Sequence, residues 1–375
     1  MKPICLPEPF PDGDGNGIIE FGTANRKKYG CRAVRYLGSD ERGHWYADAA
    51  DASASMPKPE GVFLPVVAPP RLDNPAPWNG TSYLQTSGAG PVKGNIRAVR
   101  DNGILMKSKS GISRTGIALT DMHVTGAYQL YRKLGGTLDG LLMERLLMED
   151  IRYRPDGGKS MFINGGPLDN ATFRDCKAIG NPDHVLTSPG DIYALWMLGG
   201  KNPTDIGRKF LFENCWGETS LARYANGYLN ADIWSIEGGY GEVEFRNCYG
   251  RNASDAIYDI KSFLTTFVNC WGFDARAIFK LWAHYFRLYS IVTGRPRFAH
   301  LMCMNGADVE IDLWHVHESN PAAPLVQFEG GVGRVIVKKI VWQGGSVPIG
   351  QKFARRGDSK SKGSRLIVEG VEYLV

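Results

Sequence analysis

The sequence predicts an all-β protein in which short parallel strands stack along one axis, and three observations point to it. A hexapeptide recurs four times, as FRDCKA (173–178), FENCWG (212–217), FRNCYG (245–250) and FVNCWG (267–272). A short segment with alternating apolar residues follows each copy. The 46 glycines and 21 prolines among 375 residues favour many short elements over long helices.

The hexapeptides start at 173, 212, 245 and 267, so the repeat is 39, then 33, then 22 residues long. A unit of this size cannot bury its apolar side alone, whereas stacked units can. The period of two excludes helical repeats, and a propeller would need four strands and a more constant period per blade. We therefore expect one turn of chain per repeat, with the length differences confined to a variable loop.

This pattern resembles the right-handed, single-stranded parallel β-helix, the solenoid of pectate-lyase-like enzymes and phage tailspikes. The resemblance covers residues 95–375 and rests on architecture, without a catalytic signature. Residues 1–94 are rich in Pro, Gly, Asp and Ala and lack the repeat, so we expect an irregular N-terminal cap or attachment segment there. Residues 366–375, LIVEGVEYLV, should close the chain as a last strand.

Each repeat places Asn or Asp directly after its first strand. Asn tolerates the left-handed backbone that a tight turn between two strands requires, and stacked side chains at such a turn can hydrogen-bond to one another. The resemblance implies a turn of this kind at that place. We therefore expect a ladder formed by Asn214, Asn247 and Asn269, which Asp175, Asp150 and Asp121 extend.

Each hexapeptide also carries a cysteine, which we expect in the interior as a small apolar residue. The chain has seven cysteines, an odd number without a CxxC pair, which indicates free thiols and a reducing compartment. The N-terminus MKPICLPEPFPDGDGNG has no apolar signal-peptide core, so synthesis in the cytoplasm without the usual export route is expected. No apolar run reaches the roughly 18 residues of a membrane span.

The strand after each variable loop supplies the candidate functional face. Alternation directs one aromatic and one aliphatic side chain inward, as in Trp234 and Ile236. The outward residues then form two columns, Ala194, Ser235, Asp259 and Lys280 in one, and Trp196, Glu237, Lys261 and Trp282 in the other. Because neighbouring strands lie about 4.8 Å apart, the two tryptophans should bracket the charged residues on an exposed face.

In the resembled families this sheet and its preceding loops form the saccharide groove. An exposed Trp suits a sugar ring, carboxylates can protonate a glycosidic oxygen or activate water, and Lys can neutralise a uronate or sulfate. The candidate catalytic residues are Glu237, Asp259 and Asp232. The candidate substrate-binding residues are Trp196, Trp282, Lys261, Lys280, Arg223 and Arg251. The alternative is a purely structural role, in which the charged residues form cross-strand ion pairs on a solvated sheet.

No catalytic metal is expected. Asp12, Asp14 and Asn16 have the spacing of a calcium loop, but Thr23 stands where an EF-hand needs its bidentate Glu, so a Gly-rich turn is favoured over calcium there. The net charge of +5 suits an acidic partner such as an anionic glycan. Without a dense basic stripe it does not indicate nucleic acid.

Three functions remain open at this point. The leading one is a phage or phage-derived tailspike-like protein that binds a surface polysaccharide and cleaves it, as a glycoside hydrolase or polysaccharide lyase. Such a protein is made in the cytoplasm and released by lysis as part of a virion; the resemblance implies a homotrimer, with residues 1–94 contacting other virion proteins. The alternatives are a bacterial polysaccharide lyase, glycoside hydrolase or epimerase of the same fold, and a non-catalytic structural or adhesive protein.

Overall fold

The computed structural model describes residues 4–6, 18–20, 33–40, 43–50, 83–85, 90–93, 104–108, 113–152, 159–183, 193–199, 207–222 and 230–375. The predicted calcium loop at 12–16 and Arg223 lie outside these residues. Within the described ranges every regular element is a β-strand except one 3₁₀ turn at Ser359–Ser361, so the protein is all-β as predicted. No helix in the described ranges is long and apolar enough to cross a bilayer.

The chain divides into two compact units, residues 1–60 and 61–375. In the first unit, four antiparallel strands form one sheet with the order β1-β4-β3-β2. They are β1 (Ile4–Leu6), β2 (Ile18–Glu20), β3 (Ala33–Asp40) and β4 (Gly43–Asp48). The segment that we expected to be irregular therefore contains a sheet, because residues 33–48 hold two apolar-rich runs that pair as a hairpin.

The second unit consists of parallel strands, except that its last strand pairs antiparallel with the one before it. The first of them are β5 (Tyr83–Gln85), β6 (Gly90–Lys93), β7 (Ile104–Ser108), β8 (Arg114–Thr125), β9 (Gln129–Leu134), β10 (Leu138–Ile151), β11 (Ser160–Gly165), β12 (Leu168–Arg174), β13 (Lys177–Gly180), β14 (Tyr193–Leu198), β15 (Gly207–Glu213), β16 (Trp216–Ser220) and β17 (Ala231–Ile236). They continue with β18 (Tyr240–Arg246), β19 (Tyr249–Ala253), β20 (Ala256–Ile260), β21 (Phe263–Val268), β22 (Cys270–Phe273), β23 (Ala277–Trp282), β24 (Tyr285–Gly294), β25 (Ala299–Met304), β26 (Asp308–His317), β27 (Val326–Glu329), β28 (Arg334–Trp342), β29 (Ala354–Arg356), β30 (Arg365–Val368) and β31 (Val371–Leu374).

These strands build two large sheets. Sheet I has eleven strands in the order β29-β27-β25-β23-β20-β17-β14-β11-β9-β7-β5. Sheet II has sixteen strands and two strips: β12, β15, β18 and β21 form strip IIa, and β13, β16, β19 and β22 form strip IIb. The long strands β10 and β24 pair with both strips and so join them. Each hexapeptide repeat thus runs through strip IIa, strip IIb and sheet I in turn.

The turn between the two strips holds the expected ladder. The amide Nδ2 of Asn247 donates to Oδ1 of Asn214 at 3.1 Å, and Nδ2 of Asn269 donates to Oδ1 of Asn247 at 3.3 Å. These residues have left-handed backbones, with φ between 50° and 53°. Asp175 extends the ladder by accepting from Asn214 at 2.9 Å.

The placement of Asp150 on this ladder was wrong. In the register of β8, β10 and β12, Arg145 aligns with Asp175, and its guanidinium binds Asp121. Asp150 has φ 53° and instead accepts a hydrogen bond from Asn181. It belongs to a second set of left-handed residues at the other end of strip IIb, namely Thr219, Asn252, Asp274, Arg295 and Glu318.

The core lies between the sheets and consists of side-chain columns that follow the stacking direction. Phe173, Phe212, Phe245 and Phe267 stack with ring centroids 4.5, 4.8 and 4.9 Å apart. The cysteines behave as predicted: five are free and fully buried, at 176, 215, 248, 270 and 303. The C-terminal segment is a hairpin of β30 and β31 rather than one strand, because Glu369 and Gly370 adopt positive φ and reverse the chain.

Candidate functional site

The outward surface of sheet I at β17, β20 and β23 carries most of the predicted site. Ser235, Asp259 and Lys280 align in register across these strands, as the alternation predicted. Glu237 and Lys261 directly follow β17 and β20, and Trp282 ends β23. The register of Ser235, Asp259 and Lys280 is as predicted, but their predicted exposure was wrong, because all three are buried, and Ala194 pairs with Asp232 instead of Ser235.

Five charged side chains form one connected network on this face. Lys261 Nζ lies 2.7 Å from Glu237 Oε1 and 3.9 Å from Asp259 Oδ2. Lys280 Nζ lies 3.5 Å from Asp259 Oδ2 and 2.7 Å from Asp255 Oδ2. The network becomes less accessible towards Asp255, because the Glu237 side chain is 22% exposed while that of Asp255 is 0% exposed.

Asp255 is the centre that sequence reasoning missed. It precedes β20, and its Oδ1 is 3.0 Å from Nη1 of Arg276, which precedes β23. Because the sequence motif does not fix the direction of a loop side chain, neither Asp255 nor Arg276 was among the predicted site residues. One signal could have indicated that Asp255 and Arg276 meet. Each stands one position before an alanine, Ala256 or Ala277, and these two alanines pair with each other.

Asp232 completes a group of three carboxyls. Its Oδ1 accepts the backbone N–H of Ala256 at 2.9 Å, while its Oδ2 is buried without a hydrogen-bond partner. One carboxyl oxygen from each of Asp232, Asp255 and Asp259 lies within 4.8 Å of those of the other two. The backbone explains this position, since Ile233 and Trp234 both enter the core and the broken alternation turns Asp232 outward.

The environment separates the proton affinities of these groups. Burial raises the pKa of Asp232 well above its usual range, and the negative charges of Asp259 and Asp255 add to this shift. Burial also raises the pKa of Asp259, while Lys280 and Lys261 act in the opposite direction. Burial alone would lower the pKa of Lys280, but Asp259 and Asp255 outweigh it and the pKa is raised. Of the three carboxyls, Asp232 is therefore the one whose environment most favours the protonated form.

Trp282 connects the charged network with an apolar patch. Its indole N–H donates to Asp259 Oδ1 at 2.6 Å, and the ammonium groups of Lys261 and Lys280 lie 5.6 and 5.4 Å from its ring. Partly buried Trp282 and Phe298 pack on a small outward cluster of Ala277, Ala299, Met302 and Met304. The face thus offers an acid, anions, cations and an aromatic ring within a few strands.

The predicted exposure of Trp196 was wrong. Trp196 is fully buried and pairs in register with Trp234, with ring centroids 4.9 Å apart and planes 8° from parallel. The sequence alignment had matched Tyr193 with Trp234, three residues off. An odd shift exchanges the two faces of a strand, and the continuous aromatic column in the core favours the observed register.

Of the two predicted arginines, Arg251 is not part of this face. Arg251 lies in β19 of strip IIb, where it pairs with Glu218. Arg223 lies outside the described residues. The site therefore consists of Asp232, Asp255, Asp259, Lys280, Arg276, Lys261, Glu237 and Trp282.

The three carboxyls are also the only group of metal-ligating side chains found in the described part of the chain. Carboxylate oxygens suit Ca²⁺ or Mg²⁺. However, Lys280 and Arg276 already supply positive charge to Asp255 at hydrogen-bond distance. The three carboxyls are thus suitable ligands for a divalent cation, but the Lys280 ammonium competes for the same oxygen atoms.

Comparison of the chain with protein-family models, with curated protein sequences and with solved structures found no match.

Proposed function

We propose that the second unit is a right-handed parallel β-helix that binds a surface polysaccharide and cleaves it on the outward face of sheet I. The path of each repeat through strip IIa, strip IIb and sheet I supports this fold, because parallel neighbours come from successive repeats. The strand alternation then leaves sheet I with an outward column of functional side chains next to a variable loop.

One observation carries the proposal of cleavage. Asp232 combines a buried, unpartnered Oδ2 with a raised pKa, and two further carboxyls lie within 4.8 Å. Glycoside cleavage needs one carboxyl that keeps its proton as the general acid and one that is ionised. Asp232 is the acid in this assignment, and Asp259, held by the Trp282 N–H and Lys280, is the ionised partner.

The spacing of the carboxyls narrows the reaction. Retaining glycosidases hold their two carboxyls roughly 5–5.5 Å apart, while inverting enzymes leave roughly 6.5–9.5 Å for a water molecule. One carboxyl oxygen of Asp232 lies within 4.8 Å of one of Asp259, which leaves less room than an inverting pair needs. If the chain is a hydrolase, its first product should retain the anomeric configuration, with Asp259 as the nucleophile. Trp282 and Lys261 would hold the sugar beside them.

The biological setting is part of the proposal. We place the protein on a phage or phage-derived particle as a homotrimeric spike, whose residues 1–94 contact other virion proteins and which reaches the outside by lysis. The same site would serve a bacterial polysaccharide lyase, glycoside hydrolase or epimerase.

A direct test is incubation with a panel of polysaccharides such as alginate, polygalacturonate, hyaluronan, dextran and galactomannan. An unsaturated uronate absorbance indicates a lyase, and new reducing ends without it indicate a hydrolase. Asp232→Asn should abolish either product, while the exposed control Glu372→Gln should leave it unchanged. Product formation by Asp232→Asn at the wild-type rate would contradict the assignment.

One observation favours a non-catalytic role instead. Asp255 is fully buried and bound by both Arg276 and Lys280, which is the arrangement of an internal ion-pair network. In that case the wild type binds a polysaccharide of the panel without releasing any product. The chain would then be an adhesive or structural protein whose charged network fixes the geometry of sheet I.

A further inference from the structure

A second surface, on the outer side of strip IIa, has the features of a binding site. Each strand there has one residue with a left-handed backbone, and so have β8 and β10, which precede the strip. The residues are Gly116 in β8, Gly140 in β10, Asn170 in β12, Lys209 in β15, Glu242 in β18 and Leu264 in β21, with φ between 51° and 75°. Register places these residues side by side. Lys, Glu and Leu adopt this conformation at a cost in energy, as Arg145, Thr219 and Glu318 do at the other turns of the repeats.

Three of these left-handed residues, Asn170, Lys209 and Glu242, border a cleft. It has a volume of about 410 Å³ and is lined by Asn170, Thr172, Lys209, Phe210, Leu211, Glu242 and Glu244. This size lies within the roughly 300–1,000 Å³ of known small-molecule sites. Leu211 and Thr172 are half-buried and form an apolar strip between an amide, an ammonium and two carboxylates.

The cleft continues into an exposed apolar track along the stacking direction. Leu264 is 57% exposed, and Tyr285, its neighbour in register on β24, is 41% exposed; Tyr289, four residues further along β24, is 48% exposed. Four strand steps separate Asn170 from Tyr285, which is about 19 Å at about 4.8 Å per step. A linear polymer lying along the axis can therefore contact the cleft and Tyr285 together, and a wider one also reaches Tyr289.

The charges of this surface favour a neutral polymer. Glu242 pairs with Arg208 at 3.6 Å, and Glu244 pairs with Arg246 at 2.6 Å. Lys209 has no ion pair with any described residue. The carboxylates and the ammonium can accept and donate hydrogen bonds to hydroxyl groups, while exposed tyrosines offer faces to sugar rings. Because both carboxylates are already paired with arginines, only the Lys209 ammonium is left unpaired among the described charges of the cleft, and the surface lacks the concentrated positive charge that a densely anionic chain would need.

We propose that strip IIa is a second, non-catalytic binding surface for a neutral or sparsely charged polysaccharide, which runs from the Asn170–Glu242 cleft to Tyr285 and Tyr289. It rests on the proposed function only in that the polymer bound here would be the one cleaved at sheet I. Two surfaces on one chain of polymer raise the effective affinity for long chains over short ones.

The test is affinity electrophoresis in native gels that contain dextran, galactomannan or xylan, with alginate as the anionic comparison. We expect the wild type to be retarded in at least one neutral gel, with little effect of added salt. Leu264→Asn combined with Tyr285→Ala should weaken this retardation about tenfold, because two exposed contacts are lost while Asn still tolerates the left-handed backbone. Val332→Asn, at a 60% exposed valine elsewhere, is the matched control.

The outcomes separate this inference from the proposed function. Retardation that is lost in Trp282→Ala but kept in the Leu264→Asn/Tyr285→Ala variant leaves cleavage at sheet I standing and overturns the second surface. Retardation that depends on Leu264 and Tyr285, in gels whose polymer the protein never cleaves, supports the second surface and contradicts cleavage. Retardation by alginate alone, or by no gel, overturns the inference.

Discussion

The substitution Asp232→Asn tests the protonation state on which the site depends. Asn has the shape of a protonated Asp, so its Oδ1 can still accept the Ala256 N–H that lies 2.9 Å from Asp232 Oδ1. Its Nδ2 replaces the protonated oxygen next to Asp255 and Asp259. We therefore expect the variant to fold like the wild type.

The magnitude follows from proton linkage. Burial raises the folded-state pKa of Asp232 above its ordinary value of 3.8, so above that pH the unfolded chain releases a proton that the folded protein keeps. The folded state then binds more protons, and its stability falls as pH rises until the buried carboxyl ionises. The loss is about 1.4 kcal/mol per pH unit from this one group. The loss continues at this rate for as long as the folded carboxyl keeps its proton.

The assay is urea unfolding followed by tryptophan fluorescence at pH 5, 5.75 and 6.5. The free energy of unfolding of the wild type should fall with rising pH relative to that of Asp232→Asn, by about 1.4 kcal/mol per pH unit while the folded carboxyl keeps its proton, since other groups contribute equally to both. Glu372→Gln, at an exposed carboxylate, should run parallel to the wild type. Parallel lines for Asp232→Asn and the wild type would refute the protonated acid.

Three further predictions concern the stacking itself. Asn247→Ala removes the hydrogen bonds with Asn214 and Asn269 and places Ala at φ 50°, so the free energy of unfolding should fall by about 2–3 kcal/mol. Asn247→Gly should lose less stability, because Gly tolerates this backbone. Wild-type stability of the Ala variant in urea would contradict the ladder. Gly250→Ala would place a Cβ 2.2 Å from Ile257 Cγ2 and should cost about 1–3 kcal/mol. Adding Ile257→Ala should relieve part of this overlap, whereas strictly additive costs would argue against the contact. The five described cysteines should react with a thiol reagent only after unfolding, and the denatured, unreduced chain should titrate seven thiols; five or fewer would reveal disulfides.

The stacking could be predicted because its signals are local. A left-handed turn residue, a following small core residue and a strand of alternating side chains all lie within one hexapeptide and its successor. The glycine at the sixth position has the same local cause, since a Cβ on Gly217, Gly250 or Gly272 would lie 2.0–2.2 Å from an isoleucine of the neighbouring strand in sheet I. The alternation of side chains within one strand was likewise enough to predict that Asp259 and Lys280 lie side by side in sheet I.

The errors arose where the chain between two signals is long or irregular. The loop before β14 hides its register, so Trp196 was aligned three residues away from its true partner. Alternation also fails where two successive residues, Ile233 and Trp234, both enter the core. Asp232 faces outward for that reason, and its meeting with Asp255 depends on contacts between successive repeats that no local pattern encodes.

The central claim is that the outward face of sheet I cleaves a bound polysaccharide with Asp232 as the acid. The most direct measurement compares kcat and the dissociation constant of wild type, Asp232→Asn and Trp282→Ala on a polysaccharide that the wild type degrades. The account predicts that Asp232→Asn binds like the wild type with kcat lowered at least a hundredfold, the order expected for loss of a general acid, while Trp282→Ala mainly weakens binding. Wild-type kcat in Asp232→Asn would contradict it.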